Sequence, residues 1–227
     1  LCHLSCSYSC IGERRGKMDN LAVILFICIV VPLALLLFLL DKKSRLVVFF
    51  MIIGCFICLF VSSVNSILLV LSGKDLLYVV TTITPISEEI LKAFPILLFA
   101  FSISDDRRTL ISISMAVGIG FAIMENTMIM VSNVESTTVL WALVRGFGSS
   151  LMHGLCTSMV GCGISAVRQR KKLFYTGTFA LLSAAITFHA IYNCLVGSSL
   201  MYAGILLPMA VYVPVLIAVA KHNKKFM

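Results

Sequence analysis

The amino-acid sequence predicts an all-α fold, a polytopic membrane bundle of about seven transmembrane helices. Three observations predict it. Of 227 residues, 60% are hydrophobic and 12% charged, with a mean hydropathy of +1.06. A soluble domain of that size cannot hide so much apolar surface, so lipid covers part of it. Seven stretches stay apolar over the roughly 20 residues that a helix needs to cross hydrocarbon. The cations gather in short clusters between those stretches. Helices satisfy their own backbone polar groups over such lengths in lipid, so an all-α bundle follows.

The elements follow in order. The first span, 21–40, has no basic segment between Met18 and its start and no small-residue cleavage site, so it reads as a retained helix and not a removed signal peptide. Five further spans cover 46–71, 76–101, 109–131, 139–167 and 173–196, and the last covers 199–220. DKKSR, SGKD, SISDDRR, SNVESTT, RQRKK and GSS connect them, with no repeat, low-complexity tract or soluble domain between. Residues 1–17 fit this plan poorly, because Arg14, Arg15 and Lys17 fall on the outer side. Met18-Asp19-Asn20 is the more natural beginning. Residues 1–17 are therefore expected to be an upstream extension, and 18–227 a single transmembrane domain.

Topology follows from charge. Alternate loops and the C-terminal tail hold Lys42, Lys43, Arg45, Arg107, Arg108, Arg168, Arg170, Lys171, Lys172, Lys221, Lys224 and Lys225. The opposite loops hold only Lys74. By the positive-inside rule the C-terminus lies in the cytoplasm and the protein is a multi-pass protein of the cell membrane. The formal charge of +8 does not imply a nucleic-acid partner, because the cations flank oily segments and build no aromatic-interleaved basic face. Cys28, Cys55, Cys58, Cys156, Cys162 and Cys194 lie in apolar runs, where a free thiol behaves as a small hydrophobe. Cys2, Cys6 and Cys10 match no common zinc or iron–sulfur spacing.

Several polar residues interrupt the spans. Glu88, Glu89 and Lys92 sit in ITPISEEILKAFP, and Glu125 and Asn126 in GIGFAIMENTMIM. Arg145 and His153 share the fifth span, His189 and Asn193 the sixth. A charge near the bilayer centre costs about 2.5–3.5 kcal/mol on insertion scales, so these groups are expected to face one another or a wet cavity. Glu88 and Lys92, at i and i+4, share a face and can pair, while Glu89 is about 100° around and can face elsewhere. His189 and Asn193 have the same spacing, so Asn193 can orient the ring or receive a substrate carbonyl. Pro85 removes a backbone donor, and a break there admits water. At 1.5 Å per residue, Glu125 and His189 lie roughly 10 Å below the outer face, and Glu88 and His153 roughly 20 Å. One cavity opening outward is expected.

Adjacent carboxylates in low dielectric repel, so one of them is equipped to hold or take a proton near neutrality. A carboxylate that activates water beside histidines is the equipment of hydrolysis. His153, His189 and Glu125 are alternatively suited to bind Zn²⁺. Their spacing leaves both chemistries open. Intramembrane ionisable groups also serve proton- or ion-coupled transporters, although no inverted repeat supports that class here. A non-catalytic scaffold or immunity-type membrane protein is the third reading. Single residues have plainer readings too. Arg145 suits a structural partner for a buried carboxylate, Asn65 a helix–helix hydrogen bond, and Trp141 an interfacial anchor.

At these residues the sequence resembles the PrsW family, bacterial intramembrane proteases related to the CAAX prenyl endopeptidases of the wider CPBP superfamily. EEILK at 88–92, GFAIMEN at 120–126, the stretch from Arg145 to His153 and HAIYN at 189–193 carry the resemblance, in the family's order, over about 76–197. It implies a protease-like core there. It further implies that Glu88 or Glu89 is the water-activating base, Glu125 the second motif's acid, His153 and His189 essential histidines, and Asn193 the last motif's partner. Lys92, Asn126 and Arg145 are supporting residues. The family implies cleavage of a single-pass membrane protein, an anti-sigma factor in one case, near its extracytoplasmic side. The CAAX branch has a histidine in its second motif where this chain has Glu125-Asn126, so prenyl-protein processing is not expected. The resemblance implies either a metalloprotease, with Zn²⁺ the ion that suits the donor types, or a glutamate protease, and leaves the cofactor open between them.

Overall fold

The structure is a computed structural model that describes residues 21–169 and 177–224. Residues 1–17, expected to be an extension, lie outside the described residues, as do the cations Arg170, Lys171, Lys172 and Lys225. Every regular element among the described residues is helical. The helices are α1 (Leu21–Leu36), α2 (Lys42–Ser72), α3 (Leu76–Tyr78), a π-helical turn (Val79–Ile83), α4 (Thr84–Ser102), α5 (Arg107–Ser132), α6 (Val139–Gln169), α7 (Phe179–Val196) and α8 (Met201–Lys224). Helix therefore occupies each of the seven apolar stretches. Three helices, α2, α5 and α7, are long and apolar enough to cross a membrane by length and composition. α4 is less apolar because it carries Glu88, Glu89 and Lys92 within 19 residues.

Local chemistry sets the helix ends. Asp41 precedes α2 and accepts the backbone N–H groups of Lys43 and Ser44 at 3.0 and 3.3 Å. Gly73 closes α2 with a left-handed φ of 60°. Asp106 caps α5 by accepting the hydroxyl and the N–H of Thr109 at 2.7 and 2.8 Å. Those two bonds hold its carboxyl below the usual carboxylate range.

α5 lies at the centre, packed along both α2 and α6, and α4 and α7 close the bundle around α6. Close approach depends on glycine. A Cβ on Gly54 would run into Val117 O of α5, and one on Gly118 into His153 O of α6. Cys55, Ile96, Leu110, Val117, Phe121, Met124 and Cys156 fill the buried core. Phe56, Phe60, Ile67, Val70, Phe94 and Phe147 face outward, as lipid-exposed residues do. Each of the six cysteines of the apolar runs is a free thiol.

Pro85 acts through a change of register. The helix does not break ahead of it. It widens into the π-turn, where the N–H of Thr84 reaches back five residues to Val79 O. The next bond in that register would come from Pro85, which has no N–H, so Val80 O is left open. Asn193 of α7 fills the gap, donating through Nδ2 to Val80 O at 3.0 Å.

Candidate active site

The ionisable groups of four helices meet in one place. Lys92 is fully buried on α4, and its ammonium donates to Glu88 Oε2 at 3.2 Å and Glu89 Oε1 at 3.0 Å. Glu89 therefore does not face elsewhere, because Lys92 at i+3 is long enough to draw it to the same point as Glu88. The ammonium also donates to Nδ1 of His153 on α6, at 2.8 Å, and lies 3.9 Å from the centre of the Phe121 ring. The second histidine, His189 of α7, donates from Nδ1 to Glu89 Oε1 at 2.9 Å. The two imidazoles stand edge to face, with centroids 4.9 Å apart.

Glu125 of α5 lies on the far side of His153. Its Oε2 accepts from His153 Nε2 at 3.2 Å, and from Arg145 Nη2 and the Ser149 hydroxyl at 3.4 Å each. Arg145 also lies 5.8 Å from the Trp141 ring. Asn126 is buried next to Glu125, with Oδ1 lacking a partner. Asn193 stands apart from the cluster, and Glu89 supplies the orientation of the His189 ring that the i,i+4 spacing assigned to Asn193. Asn65 makes the interhelical bond expected of it, accepting the Ser87 hydroxyl at 2.6 Å.

Sequence reasoning missed Ser149 and Phe121. A signal was present: Arg145, Ser149 and His153 recur every four residues on one face of α6, and Phe121 lies one turn before Glu125.

A cavity of about 490 Å³ adjoins the cluster, and Glu88, Glu125, Arg145 and His153 form part of its wall. Glu89, Lys92 and His189 sit behind that wall. The cavity extends past Val79, Val80 and Asn193 to Leu69, Leu76 and Gly197, at the bundle end that carries the loops 73–75 and 197–200.

The donor set fits a metal ion. Ligand atoms of Glu88, Glu89, His153 and His189 lie within 4.8 Å of one another, and all four residues are buried. Glu88 Oε2 is 3.9 Å from His189 Nε2 and 4.0 Å from His153 Nδ1. Each imidazole gives its other ring nitrogen to a carboxylate, the arrangement that fixes metal-binding histidines. Glu89 Oε2 is buried without a partner. The Lys92 ammonium occupies the lone pair of His153 Nδ1 at 2.8 Å, so a metal bound there would take that nitrogen from the lysine. Glu125, grouped by its residue type with the histidines as a ligand, is outside the converging set because it occupies the opposite edge of His153.

The matching family model, described as PrsW family intramembrane metalloprotease, covers residues 42–219, the greater part of the chain. This chain belongs to the PrsW family. Its α2–α8 region is thus that of a membrane-embedded peptidase, and the buried Glu/His cluster is compatible with that activity. No curated protein and no solved structure matched the chain.

Proposed function

We propose that the protein is an intramembrane endopeptidase that cuts a single-pass membrane protein near its extracytoplasmic boundary, an anti-sigma-factor-like substrate being the model case. One observation carries this reading. Carboxylates and imidazoles from four helices converge at the inner end of a cavity that runs to the cation-poor end of the bundle. The positive-inside rule makes that end extracytoplasmic and leaves the C-terminus in the cytoplasm.

His189 through Nε2, and His153 through Nδ1 once the Lys92 ammonium releases it, would hold a Zn²⁺ ion, with the glutamate pair supplying the remaining oxygen. When bound, the ion supplies a Lewis acid that polarises a carbonyl and acidifies water. Glu88 is the member of the pair on the cavity wall, so it meets water beside a bound peptide and takes its proton. Glu89 and Glu125 hold the two imidazoles in the required orientation. Lys92 balances the paired carboxylates in a medium that would otherwise force them apart. Counting the carboxylates as anions and the imidazoles as neutral, three acids against Lys92 and Arg145 leave one negative charge, which suits an added cation.

Co-expression with single-pass candidates tests the reading. The parent is compared with Glu88→Gln, Glu89→Gln, Glu125→Gln, His153→Ala and His189→Ala. Cleavage by the parent and its loss in the Glu88 and histidine variants is expected. Undiminished cutting by all five variants would end the assignment. Ion-driven uptake into liposomes, abolished by the same changes, would move the protein to the transporters. Metal analysis of the purified protein, with chelator inhibition and zinc rescue, separates the metal route from water activated by glutamate alone.

A further inference from the structure

The π-turn decides which residues stand in line with Glu88. An α-helix turns about 100° per residue, so an unbroken helix from Leu76 to Glu88 would bring Leu77 and Thr81 within about 20° of the Glu88 direction. Leu76, Val80 and Val79 would point about 120°, 80° and 180° away from it. The cavity is lined otherwise. Leu76, Val79, Val80, Thr84 and Glu88 form its wall on this side, and Leu77 and Thr81 take no part. The extra residue of the π-turn accounts for the difference. It rotates everything before it by about 100°, which leaves Leu76 and Val80 within about 20° of Glu88 and Val79 within about 80°.

Two residues hold that register. Pro85 opposes the unbroken helix, because its ring would strike Thr81 O, four residues back, and it has no N–H to offer there. Asn193 supplies the hydrogen bond that the π register leaves missing at Val80 O. It does so from α7, one turn beyond His189, whose Nδ1 donates to Glu89 Oε1 at 2.9 Å. α7 therefore grips the segment that leads through α4 at two heights, at the cluster through His189 and at the outer wall through Asn193.

We infer that Asn193 is a positioning residue: by bonding Val80 O it locks the π register that aligns the outer cavity wall with Glu88, and it acts on the substrate only through that wall. The effect on cleavage rests on the protease reading; the register does not. Leu76, Val79 and Val80 are apolar, so the aligned wall offers an apolar seat to the part of the substrate on the outer side of the cut bond.

The test uses the full chain and a single-pass reporter with a tagged ectodomain. Asn193→Ala is expected to raise KM about tenfold, the scale of one hydrogen bond, with a smaller change in kcat. A rebuilt helix isolates the role of the register. Deleting the exposed Thr82 together with Pro85→Ala removes the extra residue and keeps Leu76 and Val80 in line with Glu88. It also gives Val80 O the N–H of residue 85, four residues back in the shortened chain. In that background Asn193→Ala is expected to change KM by no more than about twofold, the scatter of uncoupled sites. An equal loss in both backgrounds, or a loss confined to kcat, would put Asn193 on the substrate and overturn the inference. The register is also read without cleavage, by maleimide labelling of Val80→Cys and Thr81→Cys in cysteine-free protein in micelles. Val80→Cys is expected to react the faster, and Asn193→Ala to draw the two rates together. Equal rates in the parent, or an unchanged ratio in Asn193→Ala, overturn the inference as well, and this readout decides alone where the rebuilt helix does not cut. Failure of the parent to cut any reporter removes the protease reading, and the labelling still decides the register.

Discussion

At the scale of single residues, Lys92 decides the state of the cluster. Its ammonium is fully buried and serves two carboxylates and an imidazole at 3.2 Å or less. Removing one partner of a buried ion pair leaves an uncompensated charge, at about 3–5 kcal/mol. Lys92→Met is expected to lose about that much stability, measured by denaturant unfolding in micelles. Glu89→Gln added to Lys92→Met should recover part of the loss, because one carboxylate no longer lacks a cation. Glu125 acts through His153, so Glu125→Gln is expected to weaken metal binding roughly 10–100-fold without abolishing it, read by chelator competition. His153→Ala, which removes a ring nitrogen of the set, should abolish it. The Glu88–Lys92 pairing was legible from i,i+4 spacing alone. The convergence of Glu89 on the same ammonium was not, because it depends on the reach of a flexible lysine. The bond from Asn193 to Val80 depends on a π register that Pro85 leaves one hydrogen bond short, which no side-chain periodicity reveals.

At the scale of elements, the site exists because α5 and α6 approach closely. A Cβ on Gly118 would meet His153 O and the Cα of Gly154 at 2.8 Å, and those are backbone atoms that move only with their helix. Gly118→Ala is therefore expected to push α6 outward, cost about 1–3 kcal/mol and depress cleavage by displacing His153. Gly146, on α6 with nothing within 4 Å of its would-be Cβ, is the control. Gly146→Ala should keep or slightly raise stability, since alanine favours helix. The two are compared by unfolding midpoint and by reporter cleavage. The helices themselves were legible, because spanning lipid demands long apolar runs whatever the packing. Depth was not. Counting from the outer face separated Glu125 and His189 from Glu88 and His153 by about 10 Å, yet Glu125 bonds His153 and His189 bonds Glu89. The 31 residues of α6 measure about 46 Å, well beyond a hydrocarbon core of about 30 Å, so tilt or overhang shifts every count made along it.

At the scale of the whole molecule, charge and cavity occupy opposite ends. Lys42, Lys43, Arg45, Arg107 and Arg108 mark one end of α2 and α5, and Arg107 Nη2 reaches Cys162 Sγ of α6 at 3.3 Å, which ties the late part of α6 to that end. The cavity reaches the other end, at Leu69, Leu76 and Gly197. If the cation-rich end is cytoplasmic, substrate enters from outside and the cut releases an ectodomain. Single cysteines in a cysteine-free background test this. Ser136→Cys and Ser198→Cys, in exposed loops at the cavity end, should react with a membrane-impermeant maleimide on intact cells. Asp105→Cys, exposed between α4 and α5, should react only after permeabilisation. The reverse pattern would turn the bundle over, and the cleft would then receive the cytoplasmic flank of a membrane helix. The chemistry of the cluster would survive that outcome. The class of substrate would not, because which flank of a substrate reaches the cavity depends on which side of the membrane the cavity faces.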